Sequence, residues 1–185
     1  MREHERRGTS VMEGVCTGFG HKVIFVDNGG SWGSWSGVRQ CPPGTYATGF
    51  SLKVEKKLGP NGDDTALNGI MLHCTGLTSA TISSEMCWGD WTHAQYCPSG
   101  SRLMSFQLRV ERHLGGNGDD TAANNVRFFC TDGTMLQGFG QDWGEWGNTS
   151  PECSAGICGL SAKLEEEQGS RGDDTSLNDV KMLCC

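Results

Sequence analysis

The stretch Phe50-Ser51-Leu52-Lys53-Val54 alternates apolar and polar side chains, and similar runs occupy residues 106–110 and 160–164. Successive side chains of a strand point to opposite faces, so this period of two predicts strands with one buried face. The alternation returns further along, as Ile70-Leu72-Cys74, Val126-Phe128-Cys130 and Val180-Met182-Cys184. The segment that separates the two strands of each pair is polar and contains glycine, which predicts a loop there.

Around these strands, the same landmarks recur in one order. The first copy contains Trp32-Gly33-Ser34-Trp35, Cys41, Gly62-Asp63-Asp64-Thr65, Asn68 and Cys74. The second contains Trp88-Gly89-Asp90-Trp91, Cys97, Gly118-Asp119-Asp120-Thr121, Asn124 and Cys130, and the third Trp143-Gly144-Glu145-Trp146, Cys153, Gly172-Asp173-Asp174-Thr175, Asn178 and Cys184. The first tryptophan advances by 56 and then 55 residues. We therefore predict an N-terminal tail, residues 1–21, and a single domain, residues 22–185, with repeats at about 22–76, 77–133 and 134–185.

The repeat predicts an all-β fold with pseudo-threefold symmetry. Glycine accounts for 28 of 185 residues, which disfavours long helices. Each copy is expected to supply about four short strands, roughly one small antiparallel sheet. One such sheet cannot bury its apolar face alone, so three should close around a shared core. A three-bladed propeller or a trefoil barrel also satisfies this count.

The net charge and the lack of long apolar stretches argue against nucleic acid and a membrane as partners. The net charge is −7, and the basic residues Arg2, Arg6 and Arg7 are interleaved with glutamates. Nucleic-acid binding through the phosphate backbone requires clustered lysine and arginine, so we expect no such partner. No apolar stretch reaches the length of a membrane span.

Ten cysteines in so short a chain indicate an oxidising compartment. Residues 1–8 are charged and no apolar leader follows them, so we expect that a secretory leader has been removed and that the protein is secreted. Cys41 with Cys74 and Cys97 with Cys130 have equal spacing, which predicts two equivalent bridges. Two further bridges are expected among four C-terminal cysteines, in a pairing that the sequence leaves open, namely Cys153, Cys158, Cys184 and Cys185.

Cys16 and Cys87 fall outside the repeat; either they bridge each other or one is free. The sequence contains no CxxC pair, and the histidines share no motif between copies. We therefore expect no structural zinc and no other metal or cofactor.

Several motifs together resemble the vitelline membrane outer layer protein family. They are Gly29–Trp35, Cys41–Glu55, the three Gly-Asp-Asp-Thr-x-x-Asn runs, Ala122–Phe128 and Ile157–Leu160. The resemblance implies a disulfide-braced β-prism, in which three antiparallel Greek-key sheets surround a pseudo-threefold axis. It also implies secretion, association with an extracellular glycoprotein coat, and binding or transfer of N-acetylated chito-oligosaccharides. The family usually has four bridges, so Cys16 and Cys87 depart from its pattern.

The acidic runs and the asparagines after them are the main candidates for ligand contact: Asp63, Asp64, Asn68, Asp119, Asp120, Asn124, Asp173, Asp174 and Asn178. They could hydrogen-bond sugar hydroxyls near the threefold axis. A glycosidase requires two carboxylates that flank one bond, whereas adjacent aspartates on one strand point to opposite faces. We favour a structural turn, in which aspartate oxygens accept backbone N–H bonds, and assign no catalytic residue.

The tryptophan motifs allow two interpretations. A buried role in the core is favoured, with the glycine permitting close packing. Stacking on sugar rings is the alternative, with Trp35, Trp91 and Trp146 as the candidate residues.

Two further short motifs are present: a glycosylation sequon at Asn148-Thr149-Ser150 and the integrin-type tripeptide Arg171-Gly172-Asp173.

These observations favour a secreted structural or interaction protein of an extracellular glycoprotein coat, of the egg-envelope outer-layer type. Its expected partners are mucin-like glycoproteins or N-acetylglucosamine-type oligosaccharides. The alternative is a glycan-processing enzyme with transferase activity on N-acetylchito-oligosaccharides.

Overall fold

The computed structural model describes residues 21–56, 66–76, 80–82, 85–111, 123–165 and 177–185. These residues form fourteen strands and no helix. In chain order, the strands are β1 (Val23–Phe25), β2 (Ser34–Trp35), β3 (Arg39–Gln40), β4 (Ala47–Val54), β5 (Leu67–Cys74), β6 (Ala80–Ile82), β7 (Asp90–Trp91), β8 (Gln95–Tyr96), β9 (Leu103–Val110), β10 (Ala123–Cys130), β11 (Met135–Gln137), β12 (Glu145–Trp146), β13 (Ile157–Leu164) and β14 (Leu177–Cys184).

Each pair of long strands predicted from the alternating pattern forms an antiparallel pair. β4 pairs with β5, β9 with β10 and β13 with β14, and each of these strands has eight residues. The registers are equivalent, since Leu52 lies opposite Ile70, Leu108 opposite Val126 and Ala162 opposite Val180. These apolar residues are fully buried, as a period of two with one buried face requires.

Two shorter strands flank each long pair and complete a Greek-key sheet. Sheet I has the order β6-β5-β4-β7, sheet II the order β11-β10-β9-β12 and sheet III the order β1-β14-β13-β2; β8 and β3 add to sheets I and III. In sheets I and II the fourth strand returns beside the first, which is the Greek-key order. The predicted all-β prism of three antiparallel sheets is confirmed.

The sheets do not coincide with the sequence copies, which corrects the expectation of one sheet per copy. The tryptophan motif of copy two forms β7 and pairs with β4 of copy one, and the motif of copy three forms β12 and pairs with β9 of copy two. The motif of copy one, in β2, joins β13 of copy three, so strands from both ends of the chain build sheet III. A tryptophan motif therefore connects each copy to the preceding one.

The core lies between the three sheets. Phe50 of sheet I is 4.7 Å from Phe128 of sheet II, ring centroid to centroid, and Phe128 is 6.2 Å from Phe106. All three rings are buried, and each stabilises the fold by about 2–3 kcal/mol through removal of its surface from water.

Four disulfides brace the prism. Cys41–Cys74 and Cys97–Cys130 are present as predicted, and the structure resolves the C-terminal pairing as Cys153–Cys184 and Cys158–Cys185. The first two bridges each join residues 33 apart, and in the chain-entropy account such a loop closure contributes about 4 kcal/mol.

Cys87 is not part of a bridge, which is one of the two alternatives that the sequence left open. It is a free, exposed thiol, and every other cysteine of the described ranges belongs to one of the four bridges. Cys87 lies just before Trp88 in the tryptophan motif of copy two, whereas the bridged cysteines other than Cys185 are buried. Cys16 and the rest of the predicted tail up to residue 20 lie outside the described residues.

Candidate functional site

The predicted acidic runs lie outside the described residues. They fall in segments 57–65, 112–122 and 166–176, which join the two long strands of each sheet. Their roles stay predictions for Asp63, Asp64, Asp119, Asp120, Asp173 and Asp174, and the same holds for Arg171-Gly172-Asp173.

The asparagines that follow those runs are described, and all three are fully buried: Asn68, Asn124 and Asn178. Each backbone carbonyl accepts a hydrogen bond from the loop that precedes a tryptophan motif. The donors are the amides of Met86 to Asn68 at 3.1 Å, of Gln141 to Asn124 at 2.8 Å and of Gly30 to Asn178 at 2.6 Å. Burial and a repeated backbone contact favour the structural role for these asparagines over contact with a ligand.

The glycine of each tryptophan motif packs directly against a long strand. Gly33, Gly89 and Gly144 have φ of 84°, 86° and 74°. A Cβ on Gly89 would lie 2.6 Å from the carbonyl carbon of Val54, and one on Gly144 would lie 2.3 Å from that of Val110. Only glycine combines a positive φ with so close an approach, which explains its recurrence in every motif.

The favoured prediction of buried tryptophans is wrong, because the core contains no indole from the described residues. The first tryptophans of the motifs, Trp32, Trp88 and Trp143, are 57 %, 50 % and 46 % exposed. Among the second tryptophans, Trp35 is 38 % exposed, and Trp91 and Trp146 are partly exposed. Each motif packs on the outer face of a sheet, where its strand adds to the edge of that sheet instead of entering the core.

A basic side chain holds each tryptophan loop on its sheet. Lys53 Nζ donates to the Met86 carbonyl at 2.8 Å, Arg109 Nε to the Gly144 carbonyl at 3.0 Å, and Lys163 Nζ to the Ser31 carbonyl at 2.6 Å. The three residues occupy equivalent positions opposite the second tryptophans. Sequence reasoning missed them, although each is the basic residue of the alternating run Phe50–Val54 or of its counterparts.

In two of the three motifs, a cationic side chain lies close to the ring of the second tryptophan. Lys181 Nζ lies 3.9 Å from the ring centroid of Trp35, and the Arg127 guanidinium carbon lies 4.0 Å from that of Trp146. Trp91 differs, because Met71 occupies the equivalent position in β5 and Lys53 Nζ is 6.0 Å from the ring. The Trp91 ring instead reaches over Gly69, where a Cβ would be 3.4 Å from Trp91 Cη2.

Two equivalent grooves open beside the second tryptophans. Groove one, of about 540 Å³, is lined by Val54, Glu55, Lys56, Asp90, Trp91, Thr92, Phe139, Gln141 and Asp142. Groove two, of about 490 Å³, is lined by Asp27, Asn28, Gly29, Val110, Glu145, Trp146, Gly147 and Asn148. Each lies between the edge of one sheet and the loop that leaves the next sheet. An open cleft with an indole and polar side chains can bind a small polar molecule.

One partly buried carboxyl group distinguishes sheet III. Asp179 lies opposite Lys163 in the strand pair, where sheet II has Asn125 opposite Arg109. Burial raises the pKa of Asp179, while a hydrogen bond from the Val180 amide and the charges of Lys163 and Lys181 act in the opposite direction. The side chain adjoins Gly29, whose Cβ would overlap it.

Within the described ranges, no group of His, Cys, Asp or Glu side chains is arranged to hold a metal ion. The same residues include no helix that is long and apolar enough to cross a membrane.

Comparison with known proteins assigns the chain to a protein family. The family model for Vitelline membrane outer layer protein I matches residues 22–185. This chain belongs to that family. The Homo sapiens vitelline membrane outer layer protein 1 homolog is 49 % identical over 168 residues, which cover 88 % of this chain and 82 % of the relative. The resemblance read from the motifs is thus confirmed.

Solved structures show where the family's fold recurs. A prostate-specific WGA16 glycoprotein lectin matches with a TM-score of 0.54 and 16 % identity, covering 86 % of this chain and 95 % of the lectin. Calystegia sepium agglutinin matches with a TM-score of 0.55 and 11 % identity, covering 88 % and 95 %. At such low identity, the likeness supports a shared β-prism fold and no more.

Proposed function

We propose that the protein is a secreted structural protein of an extracellular glycoprotein coat, which binds glycan through the outer faces of its prism. The observation that carries the proposal is the position of the tryptophan motifs, with indoles held on the outer faces beside polar grooves. Aromatic rings that are rigidly held and open to solvent are suited to stack on the apolar face of a sugar ring. Trp35, Trp91 and Trp146 stay the candidate stacking residues.

Membership of the vitelline membrane outer layer family and the names of the fold neighbours support this proposal. One neighbour is named a glycoprotein lectin and another an agglutinin. Four disulfides support an extracellular location, since such bridges persist in oxidising compartments. The expected partners are mucin-like glycoproteins or N-acetylglucosamine-type oligosaccharides.

A glycan array together with a mucin-coated surface tests the proposal. We expect concentration-dependent binding to at least one glycan class, without turnover of the glycan. Reduced and alkylated protein is the control, because it lacks the bridges that hold the sheets. Absence of binding to every glycan and to mucin would refute the proposal.

Passage through a secretory pathway has its own test. Asn148 is exposed, and its Nδ2 donates to Asp27 Oδ2 at 3.3 Å across groove two. We expect N-glycosylation of Asn148 in a eukaryotic secretory host, seen as a mass decrease on treatment with peptide N-glycosidase. Asn148→Gln should abolish that decrease. A full-length chain secreted without any glycan would contradict this assignment.

The transferase alternative rests on the resemblance alone. Incubation with chitotetraose, followed by mass spectrometry of product lengths, distinguishes it from binding. We expect no change in length. Longer and shorter products that disappear in an Asp63, Asp119 and Asp173 triple alanine variant would establish the enzyme instead.

A further inference from the structure

We infer that groove one is the sugar-binding subsite of this protein and takes an uncharged or cationic pyranose ring. This inference rests on the proposed function and narrows it from three outer faces to one groove and from glycans in general to one charge class. Groove one is defined by the edge of sheet I, with Trp91, and the loop before the third tryptophan motif, with Phe139.

The first argument is the pair of aromatic side chains. Trp91 and Phe139 come from different copies and line the same groove. Phe139 is 60 % exposed, which leaves a large apolar surface in contact with water at the rim of the groove. A sugar ring that covers this surface removes apolar area from water, which favours binding. Two aromatic groups in one cleft offer a ring contact on more than one side.

The second argument is that Lys53, the cation recorded over the Trp91 ring, lies farther away, with its Nζ 6.0 Å from the ring centroid. At Trp35 and Trp146, a cation lies about 4 Å from the ring centroid and occupies the place that a sugar would need. Sheet I has Met71 where sheets II and III have Arg127 and Lys181. It has Gly69 where they have Asn125 and Asp179. The smaller side chain at residue 69 makes room for the indole, and the uncharged side chain at residue 71 leaves it without that cation.

The third argument is charge. Glu55, Asp90 and Asp142 supply three carboxylates to the lining of groove one, against the ammonium group of Lys56 and the Arg109 guanidinium group, which lies 3.1 Å from Asp142. Carboxylates accept hydrogen bonds from sugar hydroxyls, and the Gln141 and Thr92 side chains add neutral polar groups. An anionic sugar would be repelled by the excess of carboxylates in this lining. The groove is therefore complementary to neutral and amino sugars rather than to sialylated or sulfated ones.

Groove two supplies the internal comparison. Counted from the equivalent amides of Gln141 and Gly30, Asn28 stands where groove one has Phe139. Asn28 Nδ2 donates to the Leu108 carbonyl at 2.9 Å, so this side chain anchors the loop. Since groove two lacks the second aromatic residue and its indole lies under Arg127, we expect one binding site per chain.

The test is calorimetric titration of the whole chain with three trisaccharides. The probes are the uncharged N-acetylglucosamine trimer, the cationic glucosamine trimer and anionic sialyllactose. We expect binding of the first two with a stoichiometry of one, and binding of sialyllactose at least tenfold weaker. Phe139→Asn should lower affinity for the uncharged trimer about tenfold, since loss of 1.4 kcal/mol corresponds to that factor.

Phe25→Asn is the matched control, because Phe25 is 59 % exposed on β1 at the opposite edge of a different sheet. We expect it to leave affinity unchanged. Wild-type affinity in the Phe139→Asn variant, a stoichiometry of two or three, or preference for sialyllactose would each overturn the inference while leaving glycan binding intact. Lack of binding to all three probes, together with a negative glycan array, would overturn the proposed function and this inference with it.

Discussion

Groove one and groove two have the same backbone and different chemistry. In each, a two-residue strand ends in a tryptophan opposite the penultimate residue of a long strand, and the loop leaving the next sheet forms the far wall. One loop carries Phe139 and the other Asn28. Arg127 lies over one indole, and the equivalent strand position in the other sheet is Met71. The repeat therefore builds equivalent grooves, while side chains outside its landmarks determine the aromatic and charged groups of each groove.

The reason is that the shared parts are backbone contacts. The amides of Gln141 and Gly30 bond to equivalent carbonyl oxygens, and Gly89 and Gly144 pack on equivalent strands. Those contacts fail if the residue type or spacing changes. The groove walls face solvent, so many side chains are compatible with the same backbone there.

The largest expected effect comes from breaking the shared scaffold. We predict that Gly89→Ala and Gly144→Ala each lower the free energy of unfolding by about 2–3 kcal/mol, because a Cβ would meet backbone atoms at a positive φ. Equilibrium denaturation in guanidinium chloride measures this. Gly37→Ala is the control, since no atom lies within 4 Å of its added Cβ. Equal stability of all three variants would show that the glycine contacts do not hold the motifs.

A second prediction converts groove two into groove one. The double variant Asn28→Phe with Arg127→Met supplies the missing aromatic side chain and removes the cation 4.0 Å from the Trp146 ring. We expect the stoichiometry for the N-acetylglucosamine trimer to rise from one to two, measured by calorimetry. Adding Phe139→Asn should return it to one. A folded double variant that still has a single site would mean that these side chains do not decide the difference between the grooves.

A third prediction concerns the reverse change, which gives groove one a feature of groove two. Met71→Arg should place a guanidinium group near the Trp91 ring, as Arg127 lies near Trp146. A cation–π contact at a partly exposed ring contributes about 0.5–1 kcal/mol, so we expect affinity for the trimer to fall about threefold. Met71→Leu keeps the position uncharged and should bind as the wild type does. Tighter binding by Met71→Arg would contradict the lack of a close cation as the decisive feature.

The smallest expected effect is a pH-dependent change in stability at a position where sheet III differs from sheet II. Burial raises the pKa of Asp179 in the folded state, so its contribution to stability is lost as pH rises from the unfolded pKa through the folded one. Asn125 shows that an amide fits the equivalent position, where its Oδ1 accepts the Val126 amide at 2.8 Å as Asp179 Oδ1 accepts that of Val180 at 2.7 Å. Asp179→Asn should therefore be more stable than wild type at pH 7, with the difference shrinking towards pH 3.

Thermal unfolding at the two pH values measures this. The variant Asp142→Asn is a control, because Asp142 is almost fully exposed and its side chain contacts Arg109 on the surface. An Asp179→Asn variant that is less stable at pH 7 would show that the charges of Lys163 and Lys181 outweigh burial.

The hairpins and the first two bridges were predictable, whereas the pairing of the C-terminal cysteines and the placement of the tryptophans were not. A strand such as Phe50–Val54 reveals its buried face through local alternation, and equal spacing of cysteines in two copies reveals equivalent bridges. Strands β2, β7 and β12 have only two residues each, too short for any period. Their pairing with the preceding copy depends on the closure of the whole prism, and the burial of an indole depends on which face that pairing selects.

By itself, the sequence determined the number of copies, the long strands, the first two bridges and the family, because these depend on period and spacing along the chain. Only the tertiary structure decided that each sheet combines two copies, that the indoles lie outside the core, and that Cys87 is free. It also decided that Trp91 and Phe139, 48 residues apart, line one groove. Such neighbours are set by the packing of three sheets around a common core, which no local pattern encodes.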